Sequence, residues 1–209
     1  CVRLPPEIIL AFDTSAAHCA AALLCGGRVT LLQEQMEKGQ AERLIPLLQE
    51  LLTGAGLVWS DLTAIAVGTG PGNFTGVRIS VAAARGLALG LDIPAIGVTR
   101  LEALAHGLPR PLTVIEDARR GDVYIQSFES AETAGGPARL ASADAMGPVE
   151  CVQTGSGAVA GLPAAMPLVE AIARIAASRA GSPQPRPAPF YLRGADAAPP
   201  SDPPPVILP

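Results

Sequence analysis

Three short stretches hold the residues with which this sequence could do chemistry. Asp13-Thr14-Ser15 closes the first apolar run, 68-GTGPG-72 is a glycine-rich loop, and 117-DARRG-121 is a second acidic turn. Two carboxylates facing each other across a cleft would suit a magnesium nucleotide. Glycines between a strand and a helix can present backbone donors to phosphate. The loop fits neither common phosphate fingerprint, however. Asn73-Phe74-Thr75 stands where a Walker loop needs Gly-Lys-Ser/Thr. Gly68, Gly70 and Gly72 lack the G-x-G-x-x-G spacing, and Asp92 precedes the next strand instead of ending it. The simpler reading is that these glycines let the following helix approach the sheet, and that Asp13 to Ser15 is an ordinary hairpin turn.

Other chemistries find less support. The histidines are His18 and His106, too few for a histidine metal cage, so no metal site is expected. Cys1, Cys19, Cys25 and Cys151 show no Cys-x-x-Cys spacing and read as free thiols in a reducing compartment. No Gly-x-Ser-x-Gly elbow occurs. The expected catalytic set is therefore empty.

The elements that position these stretches follow from periodicity. Residues 8–13, 18–24 and 28–33 read as three consecutive strands, with Gly26-Gly27 as a hairpin turn. Leu44, Leu47, Leu48, Leu51 and Leu52 share one helical face, in a helix expected to start or kink near Pro46. Residues 63–67 read as a buried strand, 73–91 as a helix, 94–98 as a strand and 99–107 as a short helix. The order β-β-β-α-β-α-β-α implies a mixed sheet covered by helices, the ribonuclease H-like unit.

A second hairpin, 112–116 and 122–128, repeats the opening theme. Residues 130–148 read as irregular, 149–153 as a strand with 155-GSG-157 just beyond, and 167–179 as a helix. The expected fold is therefore α/β and actin-like: two lobes of mixed sheet flanked by helices, the second reduced. The expected boundaries are 1–108, 109–193 and a Pro-rich tail at 194–209.

Composition narrows the class. Of 209 residues, 49% are hydrophobic, 16% charged and 3% aromatic, so a globular core of small aliphatic side chains is expected. A net charge of −4 excludes a broad basic footprint for nucleic acid. No apolar run is expected to span a bilayer. Cys1 to Pro6 lack the charged, apolar, then small pattern of a signal peptide. A cytoplasmic protein without membrane contact is expected.

Four segments carry a resemblance. 68-GTGPGNFTGVR-78, 8-IILAFDTSAAHCAAAL-23, 117-DARRGDVY-124 and 189-PFYLR-193 are similar to motifs of the bacterial TsaB (YeaZ) family, inactive members of the actin-like superfamily. The resemblance implies a partner subunit of the machinery that forms N6-threonylcarbamoyladenosine beside the anticodon of tRNA. It implies pairing with the catalytic sister TsaD, a homodimer when alone, the ATPase TsaE as a third partner, and mostly indirect contact with tRNA. It implies no firmly bound cofactor, with ATP or ADP and magnesium entering at the level of the complex. TsaD carries a His-x-x-x-His metal pair where Arg100 and Leu104 stand here. Neither of these side chains can ligate a metal.

What remains is surface. The helix over 73–91 is apolar nearly all round, and one face can serve the sheet while another meets a neighbour. The candidate interface is Leu44, Leu47, Leu48, Leu51, Phe74, Val77, Arg78, Val81, Ala84 and Arg85. The candidate vestigial nucleotide cleft is Asp13, Thr14, Ser15, Gly70, Gly72, Asp117, Arg119 and Gly121. The rival function is a small actin-like magnesium-nucleotide phosphotransferase or ATPase using Asp13 and Asp117. A homodimeric module acting without TsaD is a third possibility.

Overall fold

The structure, a computed structural model, describes residues 7–130, 136–145 and 151–193. The Pro-rich tail expected at 194–209 and the start of the strand expected at 149–153 lie outside the described residues.

Three strands open the chain as an antiparallel meander: β1 (Ile8–Asp13), β2 (His18–Cys25) and β3 (Arg28–Gln35). Two more, β4 (Ala64–Gly68) and β5 (Ala95–Val98), extend the sheet parallel to β1, giving the order β3-β2-β1-β4-β5. The central strands read as continuous apolar runs because both faces are covered. On one face Leu10, Phe12, Ala21, Leu23, Ile65 and Val67 pack under α1 (Gln40–Gly54) and α2 (Phe74–Leu91). On the other, Ile9, Ala11, Ala20, Ala22, Ala64 and Ile96 pack under the last helix, α4 (Leu168–Arg179). Between β5 and the second lobe lies α3 (Arg100–Ala105), started by a capping box of Thr99 and Glu102.

The second lobe holds β6 (Leu112–Arg119), β7 (Asp122–Phe128), β8 (Arg139–Ser142) and β9 (Val152–Thr154), in the order β8-β7-β6-β9. Its pairing repeats the first four strands of the other sheet: β6 and β7 antiparallel, β7 and β8 antiparallel, β6 and β9 parallel. A fifth strand is missing among the described residues. This is the reduced lobe expected from the sequence.

Four expectations need correction. The helix α4 was placed with the second lobe by the 109–193 boundary, yet it packs on β1, β2, β4 and β5 of the first. Its apolar stripe of Val169, Ile172, Ala173 and Ala176 matches the small-residue face of that sheet. Secondly, α1 starts at Gln40, and Pro46 lies inside it. The bond Pro46 forfeits is to the carbonyl of Glu42, and both residues are exposed, so water can serve that carbonyl. Thirdly, β8 lies within the stretch 130–148 read as irregular. Its four residues are only half-buried or exposed and give no strong apolar alternation. Fourthly, α2 has 18 residues and is apolar enough by length and composition to cross a membrane. Its buried side nonetheless belongs to the first lobe's core, and Arg78 and Arg85 stand on its exposed side.

His106 ends α3 at the junction of the lobes. Burial, then the charges of Arg174 and Arg110, hold its pKa below the ordinary 6.5. The folded state therefore binds a proton less readily than the unfolded chain. The contribution of His106 to stability is full above pH 6.5 and is lost as the pH drops from there through the lowered folded-state value. His106→Asn should flatten that part of a pH series of denaturant melts. An unchanged slope would remove His106 as its source.

Candidate functional site

Two surfaces answer to the candidate residues: a cleft between the lobes and the outer face of α2. The cleft has a volume of about 630 Å³. Ser15, Gly72, Asn73 and Arg100 line it from the first lobe, and Glu116, Asp117, Arg119 and Tyr124 from the second. Of the expected cleft residues, Ser15, Gly72, Asp117 and Arg119 reach it, and Asp13, Thr14, Gly70 and Gly121 do not line it.

The absence of Asp13 from the cleft has a local cause. Its carboxylate is buried, and Oδ2 accepts from Ser15 N (3.1 Å), Ser15 Oγ (2.9 Å) and His18 Nε2 (2.9 Å). The whole turn is then locked against the start of α2. Thr14 Oγ1 donates to the Gly76 carbonyl (2.7 Å), and Asn73 N donates to the Ser15 carbonyl (2.7 Å). A Cβ at Gly68 would strike the Asp13 carboxylate. One at Gly72 would lie 2.5 Å from the Ser15 carbonyl, and one at Gly76 would collide with the Thr14 carbonyl. These glycines thus admit the β1–β2 turn. The space that a phosphate loop would leave for an anion is filled by the chain itself. Asn73 caps α2 by accepting from Gly76 N (3.0 Å).

Asp117 is exposed, with Oδ1 accepting from Arg119 N (2.8 Å). Arg119 and Arg120 have φ of 63° and 56°, the left-handed region, where a bulge after Asp117 runs into the tight β6–β7 turn. The expected pair of acids facing across the cleft is therefore not formed, because Asp13 is turned into the first lobe. These residues do not fit a magnesium nucleotide.

Sequence reasoning missed the ion pair at this site. Arg100 Nε and Nη2 both lie 2.7 Å from Glu116 Oε1, linking the lobes. Glu116 is 6% exposed, and its Oε2 accepts from Ser156 N (2.9 Å). The signal was the acid in the apolar run 112-LTVIE-116: a buried glutamate needs a cation. Leu104 packs in the cluster that joins the lobes, with Leu101, Leu112, Val114 and Phe128.

The interface candidates divide in two. Leu44, Leu47, Leu48, Leu51, Val77, Val81 and Ala84 are all buried in the core between sheet and helices. They cannot line a docking face, and this corrects their assignment. Phe74, Arg78 and Arg85 are exposed. They share the outer face of α2 with Ala82, Gly86, Leu89 and Gly90, which sequence reasoning did not gather with them. Leu89 is 77% exposed and Phe74 42%. Ile45, on the outer side of α1, is 43% exposed. A Cβ at Gly86 or Gly90 would meet nothing within 4 Å, so the helix backbone is open to close approach.

A two-lobed α/β architecture, with one complete ribonuclease H-like sheet and one reduced copy about a cleft, defines an actin-like protein. Comparison with known proteins narrows this further. A family model described as TsaD: tRNA N6-adenosine threonylcarbamoyltransferase matches residues 31–182. The tRNA threonylcarbamoyladenosine biosynthesis protein TsaB of Escherichia coli K12 is 41% identical over 130 residues, 59% of this chain and 56% of that protein. An uncharacterized protein of Mycobacterium tuberculosis H37Rv is 33% identical over 204 residues, 94% of this chain and 97% of that one. YeaZ from Pseudomonas aeruginosa superposes with a TM-score of 0.74 at 29% identity, covering 89% of this chain and 100% of that structure. The chain belongs to the TsaB (YeaZ) family. It spans about half the length of the curated TsaB relatives it matches.

Proposed function

We propose that this chain is a non-catalytic partner subunit in the formation of N6-threonylcarbamoyladenosine in tRNA, and that it pairs with TsaD through the outer face of α2. The observation that carries this is the exposed face of α2, where Phe74, Ala82 and Leu89 stand with Arg78 and Arg85 between them and Gly86 and Gly90 beside. Leaving Leu-sized side chains in water forgoes roughly 1.5–3 kcal/mol each, which a partner helix would recover. Small residues let two helix axes come close.

The non-catalytic part rests on what the chain does with its own groups. Arg100 and Leu104 stand where the TsaD resemblance implies metal ligands. Arg100 is committed to Glu116, and Leu104 to the apolar contact between lobes. Asp13 is committed to Ser15 and His18. The names of the TsaB relatives support the pathway. In this reading the chain dimerises through the same face when alone and works in the cytoplasm. TsaE is the third partner, nucleotide is handled at the level of the complex, and tRNA contact falls mostly to other subunits, in keeping with the charge of −4.

Leu89→Glu and Ala82→Glu test it. Both sites are exposed, so each variant should melt with the parent. Association with TsaD, followed by calorimetry, should weaken about 30-fold or more, as expected for a hot spot of about 2 kcal/mol. Unchanged affinity in both would sink the interface.

A further inference from the structure

Besides the two covalent linkers, a strap of residues 182–193 joins the lobes. Pro183, Pro185, Pro187 and Pro189 stiffen it, because each fixes its own φ and extends its predecessor. Pro187 is buried, and its Cβ lies near Gly97 of β5. Phe190 N donates to the Thr69 carbonyl (2.8 Å). The Tyr191 ring lies 5.0 Å from that of Phe74, and the Arg78 guanidinium stands 3.6 Å over Phe74. Leu192 packs into the apolar cluster between the lobes. Arg193 Nη2 donates to Asp122 Oδ2 (2.6 Å) and to the carbonyls of Ala118 (3.3 Å) and Arg119 (3.4 Å).

Four consecutive residues therefore touch the glycine-rich loop, the outer face of α2, the joint between lobes and the β6–β7 hairpin. Ala118 and Arg119 of that hairpin line the cleft. An extended segment of four residues spans at most about 14 Å. It has little slack to absorb a displacement at Tyr191 before Arg193 moves.

We propose that this strap couples the docking face of α2 to the setting of the second lobe. A partner seated on Phe74 and Tyr191 holds Arg193 against the β6–β7 hairpin and so fixes the width of the cleft. This rests on the docking reading above. The coupling runs through named contacts that both sites share.

Hydrogen exchange of the full chain, alone and saturated with TsaD, tests it. In the parent, TsaD should slow exchange of amides 118–122 by about fivefold or more, the range of ordinary coupling between sites. It should also slow exchange in α2. In Arg193→Ala the protection of α2 should persist while that of 118–122 is lost. Asp122→Asn weakens the same bond from the other side and serves if Arg193→Ala does not fold. Protection of 118–122 that survives these changes overturns the strap. Protection of α2 alone in the parent also overturns it and leaves the docking reading standing. No protection in α2 means that the docking reading fails, and this proposal with it.

Discussion

Gly76→Ala should destabilise the chain by about 3 kcal/mol, while Gly86→Ala, ten residues on in the same helix, should stabilise it by about 0.5–1 kcal/mol. The two glycines look alike in the sequence. A Cβ at Gly76 would collide with the Thr14 carbonyl, which belongs to backbone held by Asn73, Ser15 and Asp13 and so has nowhere to go. Relief would require α2 to lift from the β1–β2 turn. That would break the bond from Thr14 Oγ1 to the Gly76 carbonyl, with a further loss of about 1 kcal/mol. A Cβ at Gly86 meets nothing within 4 Å, so alanine there only reduces the freedom of the unfolded chain. Denaturant melts of both variants decide the matter, and shifts of the same sign would refute this account of the loop. If the outer face of α2 meets a partner helix, Gly86→Ala should weaken that association even as the isolated chain gains stability.

Arg100→Met should cost about 3–5 kcal/mol, the usual penalty for leaving a buried charge without its partner. Glu116 would keep only the Ser156 amide. Adding Glu116→Gln should restore most of the loss, because the amide removes the charge and its carbonyl oxygen can still accept from Ser156 N. The pair of melts separates a charge effect from a packing effect. If the double variant is no more stable than Arg100→Met alone, the ion pair is not what holds Arg100 in place.

Much of the architecture was legible, for reasons visible in particular residues. Gly26-Gly27 between two apolar runs marks a hairpin, and the run 64-AIAV-67 reads as a buried strand, as the structure has it. The start of α2 was placed at 73, and the structure shows the Asn73 side chain capping it. The faces of α2 were harder. Nearly every position is apolar or small, so periodicity carries little contrast. Phe74 was grouped with Val77 and Val81 although it points outward beside Arg78. The arginines at 78 and 85, two turns apart, were the better guide to the wet side. The pairings of Asp13 and Arg100 were not legible, although Glu116 at the end of an apolar run signalled the need for a cation. Their partners, His18 and Glu116, are set by register across a turn and across a lobe boundary, which spacing along the chain does not encode.

The return of α4 to the first sheet bears on how the protein is made. Residues 8–105 supply all five strands of that sheet, yet the face bearing Ile9, Ala11, Ala22 and Ile96 stays bare until residues 168–179 arrive. During synthesis the amino-terminal half therefore leaves the ribosome with an uncovered apolar surface, and the second lobe must be threaded out before that surface closes. Contacts of such long sequence separation slow folding and lengthen the exposure of aggregation-prone intermediates. The two lobes are neighbours in space but not successive folding units. The chain is a discontinuous domain with a second one inserted in it, and neither half should be autonomous.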